Sequence, residues 1–200
     1  MTLSVTQKIT KKIIENYDFT TYQKPSEFID ESWIYYKNNF DSNNTINGTI
    51  FENLVVYILA YEGINHIYEQ AEVAFVPNAI FDILLYHPVY TYTLSLKTTL
   101  RERWKQADLE AYAIKNVLKA SKSYILSLSH SEVRTRRKKL EKGDDFYNGL
   151  DGFVLANTEE FDELVEELKQ INFIPSEKVS IIVGEDQYVN LKNIKETYGL

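Results

Sequence analysis

The chain of 200 residues has no cysteine at all, which excludes disulfides and thiolate metal sites and fits a reducing compartment. Only four Pro and seven Gly argue against a disordered or low-complexity chain. No apolar run approaches membrane-spanning length, and the N-terminal MTLSVTQKITKKIIENYDF has no apolar core of a signal peptide. These absences predict a cytoplasmic protein with no membrane partner. The three histidines, His66, His87 and His130, lack metal-ligand spacing and are assigned no role. Arginine is missing outside one segment, and that absence is the most informative of all. Residues 97–142 hold 13 Lys+Arg against five Asp+Glu, a local charge of +8, while the rest holds nine against 24, or −15. All five arginines (Arg101, Arg103, Arg134, Arg136, Arg137) fall in the basic segment, so a net charge of −7 does not exclude an anionic partner. The planar guanidinium fork matches phosphate and guanine edges, although a pair of solvated basic helix faces would read the same way.

What is present is abundant in aromatics and patterned as an α/β chain. Periodicity predicts helices over 3–16, 25–39, 49–65, 104–119, 131–141 and 159–170. Strands are predicted over 68–76, 79–86, 90–97, 123–129, 152–157 and 179–183, with a loop over 41–48 and a polar tail after the last strand. Antiparallel strands first and strand–helix crossovers later imply a mixed central sheet flanked by helices. One domain is expected over 1–200. Its N-terminal helices, 1–45, would serve dimerisation or DNA contact, and 48–185 would form the catalytic core.

The hairpin of the second and third strands, turning near Pro88, should set Asp82 opposite Ser95, with Lys97 diagonal on the same face. An aspartate inside IFDILL is costly unless paired, so Asp82 and Lys97 form either a structural salt bridge or a site. Glu110 shares a helix face with Ala107, Ala113, Ile114 and Val117, which predicts a second carboxylate turned inward; Asp108 and Glu102 are expected to lack that surrounding. Two carboxylates and a lysine suit phosphodiester hydrolysis. The acids would hold a hard divalent cation, and the lysine would orient or deprotonate water. Glu52 is a candidate third acid, although Thr49-x-x-Glu52 also reads as a capping box at a helix start.

The run Ser95-Leu96-Lys97-Thr98-Thr99-Leu100-Arg101-Glu102-Arg103-Trp104-Lys105-Gln106, with Glu110 beyond it, resembles the EcoRII/SsoII-like restriction endonucleases of the PD-(D/E)XK nuclease superfamily. In that group a small residue replaces the second acid of the usual triplet, and the following helix supplies the missing carboxylate. Ser95 and Glu110 stand at those two places, and the run into Phe51-Glu52 is similar to the superfamily's first helix. Asp82 departs from the pattern, because it follows Phe81 rather than proline and precedes Lys97 by only 15 positions. The resemblance implies a restriction-endonuclease-like core and a magnesium-dependent Type II enzyme with Asp82, Lys97, Glu110, Glu52 and Ser95 catalytic. Asp82 and Glu110 would hold Mg²⁺.

It further implies that Arg101, Glu102 and Arg103 read G·C pairs of a short palindrome, with CC and GG halves, by arginine to guanine and glutamate to cytosine. A salt-bridged turn is the other reading of that triplet. Twofold targets imply a homodimer on double-stranded DNA, and a host restriction system implies a cognate DNA methyltransferase. Arg134, Arg136, Arg137, Lys138 and Lys139 would contact phosphates or form a solvated face, and the acidic helix 159–170 would pack away from DNA. Trp33 is a candidate for stacking a flipped base, against the alternative of core or interface. The rival functions are a repair or structure-selective nuclease of the superfamily, a non-catalytic DNA-binding protein retaining the fold, and an acidic interaction protein whose basic segment docks on its own surface.

Overall fold

A computed structural model describes residues 3–76, 78–144, 146–176 and 188–199. Its elements in chain order are α1 (Val5–Asn16), α2 (Pro25–Asn39), α3 (Asn44–Tyr61), β1 (Ile67–Glu72), β2 (Ile80–Leu85), β3 (Tyr92–Lys97), α4 (Arg103–Val117), β4 (Lys122–Ser127), α5 (His130–Glu141), β5 (Gly152–Leu155), α6 (Glu159–Lys169), β6 (Tyr188–Val189) and α7 (Leu191–Tyr198). The strands form one mixed sheet in the order β5-β4-β3-β2-β1-β6. Pairings from β6 through β3 are antiparallel, and β3, β4 and β5 run parallel. The expected α/β architecture with a mixed sheet between helices is therefore present. The predicted strand 179–183 lies outside the described residues. The expected polar tail instead holds α7, capped by the Asn190 side chain on the Asn193 N–H.

Alternation along the strands sorts side chains onto two faces. Tyr92, Leu94, Leu96, Leu126 and Val154 join the main core, which also takes Ile13 and Ile14 of α1, Phe28 and Ile29 of α2, α3, and Phe161, Leu164, Val165 and Leu168 of α6. Ile125, Phe153 and Leu155 face the other way, against Trp104, Ala107 and Ala111 of α4 and Val133 of α5. The two N-terminal helices are thus built into the main core. α3 is apolar nearly all round, with every residue from Leu54 to Ala60 buried, as a helix enclosed by α1, α2, α7 and the sheet must be. It starts at Asn44, not Thr49. The Asn43 side chain accepts from the N–H groups of Thr45 and Ile46, a cap that converts most of the expected 41–48 loop into helix.

The exposed edge of β5 is closed by side chains. Arg137 donates to the Phe153 carbonyl at 2.7 Å, and Glu160 accepts from the Leu155 N–H at 2.9 Å. Arg137 and Glu160 are themselves joined by two hydrogen bonds, of 2.7 and 2.8 Å. A sheet edge whose outward backbone groups are occupied cannot recruit another strand there.

Asp108 was expected to lack an apolar surrounding; it is buried instead, on the inner side of α4. Its carboxylate accepts from the backbone N–H groups of Asn148, Gly149 and Leu150 at 2.9–3.0 Å and from the Asn148 side chain at 2.9 Å. Gly149 lies so close to α4 that a Cβ there would sit 2.0 Å from the Tyr112 nitrogen. Burial alone would raise the Asp108 pKa, but the N–H donors of Gly149, Asn148 and Leu150 outweigh it and hold the carboxyl below the usual aspartate range. Its contribution to stability is therefore present at neutral pH and lost as pH falls through the lowered pKa. Asp108→Ala should cost about 3 kcal/mol or more, because buried N–H groups lose their acceptor. Urea unfolding at pH 7 checks this, and a loss within about 0.5 kcal/mol would reject the role.

Candidate active site

The site forms where β2 parts from both of its neighbours. On the β1 side, pairing runs through Glu69↔Ile83 and resumes at Ala71↔Phe81, skipping the step between Gln70 and Asp82. Gln70 takes a left-handed backbone, φ 48°, at that point. On the β3 side, pairing stops at Ile83↔Leu94, one step short of setting Asp82 opposite Ser95. The Asp82 side chain occupies the gap. Its Oδ2 accepts from the Leu96 N–H at 2.7 Å, the Lys97 ammonium at 2.7 Å and the Ser95 hydroxyl at 3.2 Å. The Asp82 and Lys97 side chains are 14% and 20% exposed, so the pair is shielded but open to solvent. A hydroxyl at 95 is a donor, whereas a carboxylate there would meet Asp82 as a like charge.

Helices from both layers bring further acids. Glu110 of α4 is half-buried and accepts from the Gln106 side chain at 2.8 Å. Burial raises its pKa; Gln106 and Lys97 pull it back down, and the Asp82 charge pushes it up. Glu52 of α3, from the opposite layer, is also half-buried, and its pKa is pushed up to about 7 by burial first and then by the Asp82 charge, against the pull of Lys97. It is not a capping residue. Thr49 lies inside α3, its hydroxyl turned back to the Thr45 carbonyl at 3.4 Å, so the capping-box reading of Glu52 fails.

Three carboxylates therefore lie in the field of one ammonium; burial is the main cause that raises the proton affinity of Glu52 and Glu110, and the Asp82 charge adds to it, outweighing Lys97 at Glu52 but not at Glu110. Among the described residues no three acidic or imidazole groups stand together as a ready-made metal cage. The donors are nonetheless all hard oxygens with more negative charge than Lys97 neutralises, which fits a hard divalent cation and not a soft one.

The turn after β3 carries the basic triplet. Arg101, Glu102 and Arg103 are all exposed, and Arg101 has a left-handed backbone, φ 39°. Glu102 sits at the N-cap of α4 without capping it, and pairs instead with Lys105 at 2.5 Å and with Arg136 at 4.0 Å. The Lys105 contact holds its pKa below the usual range. On α5, Arg134, Lys138 and Lys139 are exposed. Arg136 lies over the Trp104 ring at 4.7 Å. Arg137 leaves the set expected to contact phosphate, because its fork is committed to Glu160 and the Phe153 carbonyl. Trp33 is half-buried against Tyr36 and Phe51, so it packs as part of the core rather than projecting to stack a base.

Four further residues, Asp108, Glu132, Gln70 and Glu69, owe their roles to contacts that the sequence alone does not show. Asp108 shapes the loop behind α4. Glu132 of α5 accepts from the Leu100 and Arg101 N–H groups at 2.7 and 3.4 Å. Gln70 donates to Glu52 at 3.4 Å. Glu69, its neighbour on β1, has its pKa pushed up to about 7 by burial. The alternation Glu69-Gln70 in an otherwise half-buried strand was the one available hint.

Because the folded pKa of Glu69 exceeds the ordinary value of 4.5, its contribution to stability is full below 4.5 and is lost as pH rises through about 7. Glu69→Gln, neutral throughout, should melt higher than wild type at pH 8 and show a flatter melting profile across that window. A variant melting below wild type at pH 8 would sink the assignment. No family model, no curated protein and no solved structure matches this chain.

Proposed function

We propose that this protein is a magnesium-dependent, sequence-specific endonuclease of double-stranded DNA, built on a restriction-endonuclease-like core and resembling the EcoRII/SsoII-like Type II enzymes. The observation that carries the reading is the junction at Asp82, where one carboxylate oxygen gathers Ser95, Leu96 and Lys97 while Glu110 and Glu52 approach from opposite layers. A divalent cation on Asp82 and Glu110 supplies the positive charge that phosphodiester hydrolysis needs at the transition state.

In this reading Asp82 and Glu110 would hold the cation, and Asp82 would keep the Leu96 N–H, so that the strand end stays fixed. Lys97 orients the attacking water as a donor, and the proton the water loses passes to an ionised carboxylate of the site such as Glu52. Ser95 leaves room that an acid would fill. Glu52 is poised near neutral pH to take up a proton or share the cation. Arg101 and Arg103 fork onto guanine O6 and N7, and Glu102 accepts from cytosine N4. Arg134, Lys138 and Lys139 meet phosphates, which makes binding salt-dependent and sequence-blind at those contacts. A palindromic target with CC and GG halves calls for a homodimer, with a host methyltransferase protecting the same site.

A structural Asp82–Lys97 salt bridge in a non-catalytic DNA-binding protein is the second reading, favoured by the 2.7 Å pairing of the two groups. Docking of the basic segment on the protein's own acidic surface is favoured by the pairs Arg137–Glu160, Lys122–Glu167 and Lys115–Asp151.

Purified protein incubated with phage DNA should give discrete fragments with Mg²⁺ and none with EDTA. A metal-dependent smear would favour a repair or structure-selective nuclease, and intact DNA under every condition would favour the non-catalytic reading. Lys97→Ala and Glu110→Ala should each lower cutting by about a hundredfold or more with the melting temperature retained. Full activity in either would sink the site assignment. Arg101→Ala should lose preference for the target, by about tenfold or more per base pair read, before it loses DNA binding itself. Wild-type selectivity in that variant would reject Arg101 as a reader.

A further inference from the structure

The turn between β3 and α4 is held from outside by α5. Leu100 and Trp104, at its two ends, are buried in one cluster with Val133. Between those anchors the three charged side chains are exposed, and Arg101 adopts a left-handed backbone that disfavours a side-chain-bearing residue. Such a turn needs something to fix it. Glu132 grips its start, accepting from the Leu100 N–H at 2.7 Å and the Arg101 N–H at 3.4 Å. Arg136, one helical turn further along α5, covers its end, with the guanidinium 4.7 Å from the Trp104 ring centre and 4.0 Å from Glu102. The i,i+4 spacing puts both on one face of α5, flanking the buried Val133.

We infer that Glu132 and Arg136 are positioning residues that fix the 100–104 turn, so that discrimination between targets is set from α5 by two side chains that need not touch a base. This rests on the proposed function, which supplies the role of the turn; the clasp itself is a matter of geometry. It moves Arg136 from the phosphate contacts to the support of the turn. The Glu132 carboxyl agrees with a gripping role. Burial would raise its pKa, yet the Leu100 N–H, Ser129 and the Arg101 N–H hold it below the usual range. A guanidinium over an indole is also a contact that lysine does not reproduce.

The test compares wild type, Glu132→Ala, Glu132→Gln and Arg136→Lys for cleavage of the target and of a target with one altered base pair. In Glu132→Ala the ratio of the two kcat/KM values should fall about tenfold or more, mainly through KM on the true target. Glu132→Gln, which keeps an acceptor oxygen, should recover part of the ratio. Arg136→Lys keeps the charge without the guanidinium over the ring, and should lower the ratio even if Glu132→Ala fails to fold. A folded Glu132→Ala or Arg136→Lys with the wild-type ratio overturns the proposal. If wild-type protein neither cuts nor prefers any DNA, the proposed function is what fails. Amide exchange then reads the clasp alone: Leu100 and Arg101 should exchange faster in Glu132→Gln and faster still in Glu132→Ala, and unchanged exchange overturns the clasp.

Discussion

One carboxylate oxygen holds the centre of this molecule. A β-strand that leaves its neighbours exposes backbone donors that must be satisfied, and buried N–H groups without partners are costly. Within β2, where its ladder to β3 stops, the Asp82 side chain meets that demand by accepting the Leu96 N–H, and the same oxygen takes the Lys97 ammonium. The opening between β2 and β3 is therefore stabilised by the group that would do the chemistry in it. On the far side of β2, the left-handed Gln70 breaks the other ladder at the same level. At Asp82 the β2–β3 ladder stops and the β1–β2 ladder skips one step, and Glu110 and Glu52 come in there from the two layers.

Topology places that opening. β3 is the strand on which the sheet changes from antiparallel to parallel, pairing with β2 one way and β4 the other. Lys97 ends β3 level with Ser127 of β4, so the turn carrying Arg101 and the loop leading into α5 leave the sheet at the same end. Crevices beyond the carboxyl ends of parallel strands are where open α/β sheets gather their functional groups. Charge is divided accordingly. Asp82 acts on both Glu52 and Glu110 at the junction, while the turn carrying Arg101 and Arg103 starts just beyond Lys97. Of the five arginines one is spent closing the β5 edge and one covers Trp104, leaving Arg101, Arg103 and Arg134 exposed.

Much of this was legible because it depends on short-range pattern. Clean alternation over Tyr92–Lys97 fixed which side chains share a face, and a turn near Pro88 was enough to bring Asp82 within a hydrogen bond of Ser95, although the ladder stops one step before that pair. Helical periodicity brought Glu110 only half onto the inner side of α4: Ala107 and Ile114 of the expected face are buried, but Val117 is exposed. What escaped notice depends on partners far away in the chain. Asp108 looks like a surface acid until the N–H groups forty residues later are folded onto it. Glu132 sits in a basic helix and gives no sign that it grips a turn thirty-two residues earlier. Arg137 reads as one more surface cation, yet Glu160 of the acidic helix takes it. The start of α3 was misplaced for another reason. A run of polar residues with a glycine resembles loop, but Asn43 caps it and tertiary burial of the apolar turns that follow carries the helix back to Asn44.

α4 ties these separate features together. Trp104 in its first turn anchors the exposed triplet, Asp108 one turn later binds the loop 148–150, and Glu110 faces the Asp82 junction. At 1.5 Å per residue, Trp104 and Glu110 are held roughly 9 Å apart along a rigid rod. Movement of α4 would displace the basic turn and the carboxylate together. The helix is held against such movement by buried Ala107, Ala111 and Ile114 and by the close approach of Gly149, contacts that have no chemistry of their own. In a nuclease, the spacing between the base pairs read and the bond cut would then follow from packing on the back of one helix, with the groups that meet the DNA carried by it as a unit.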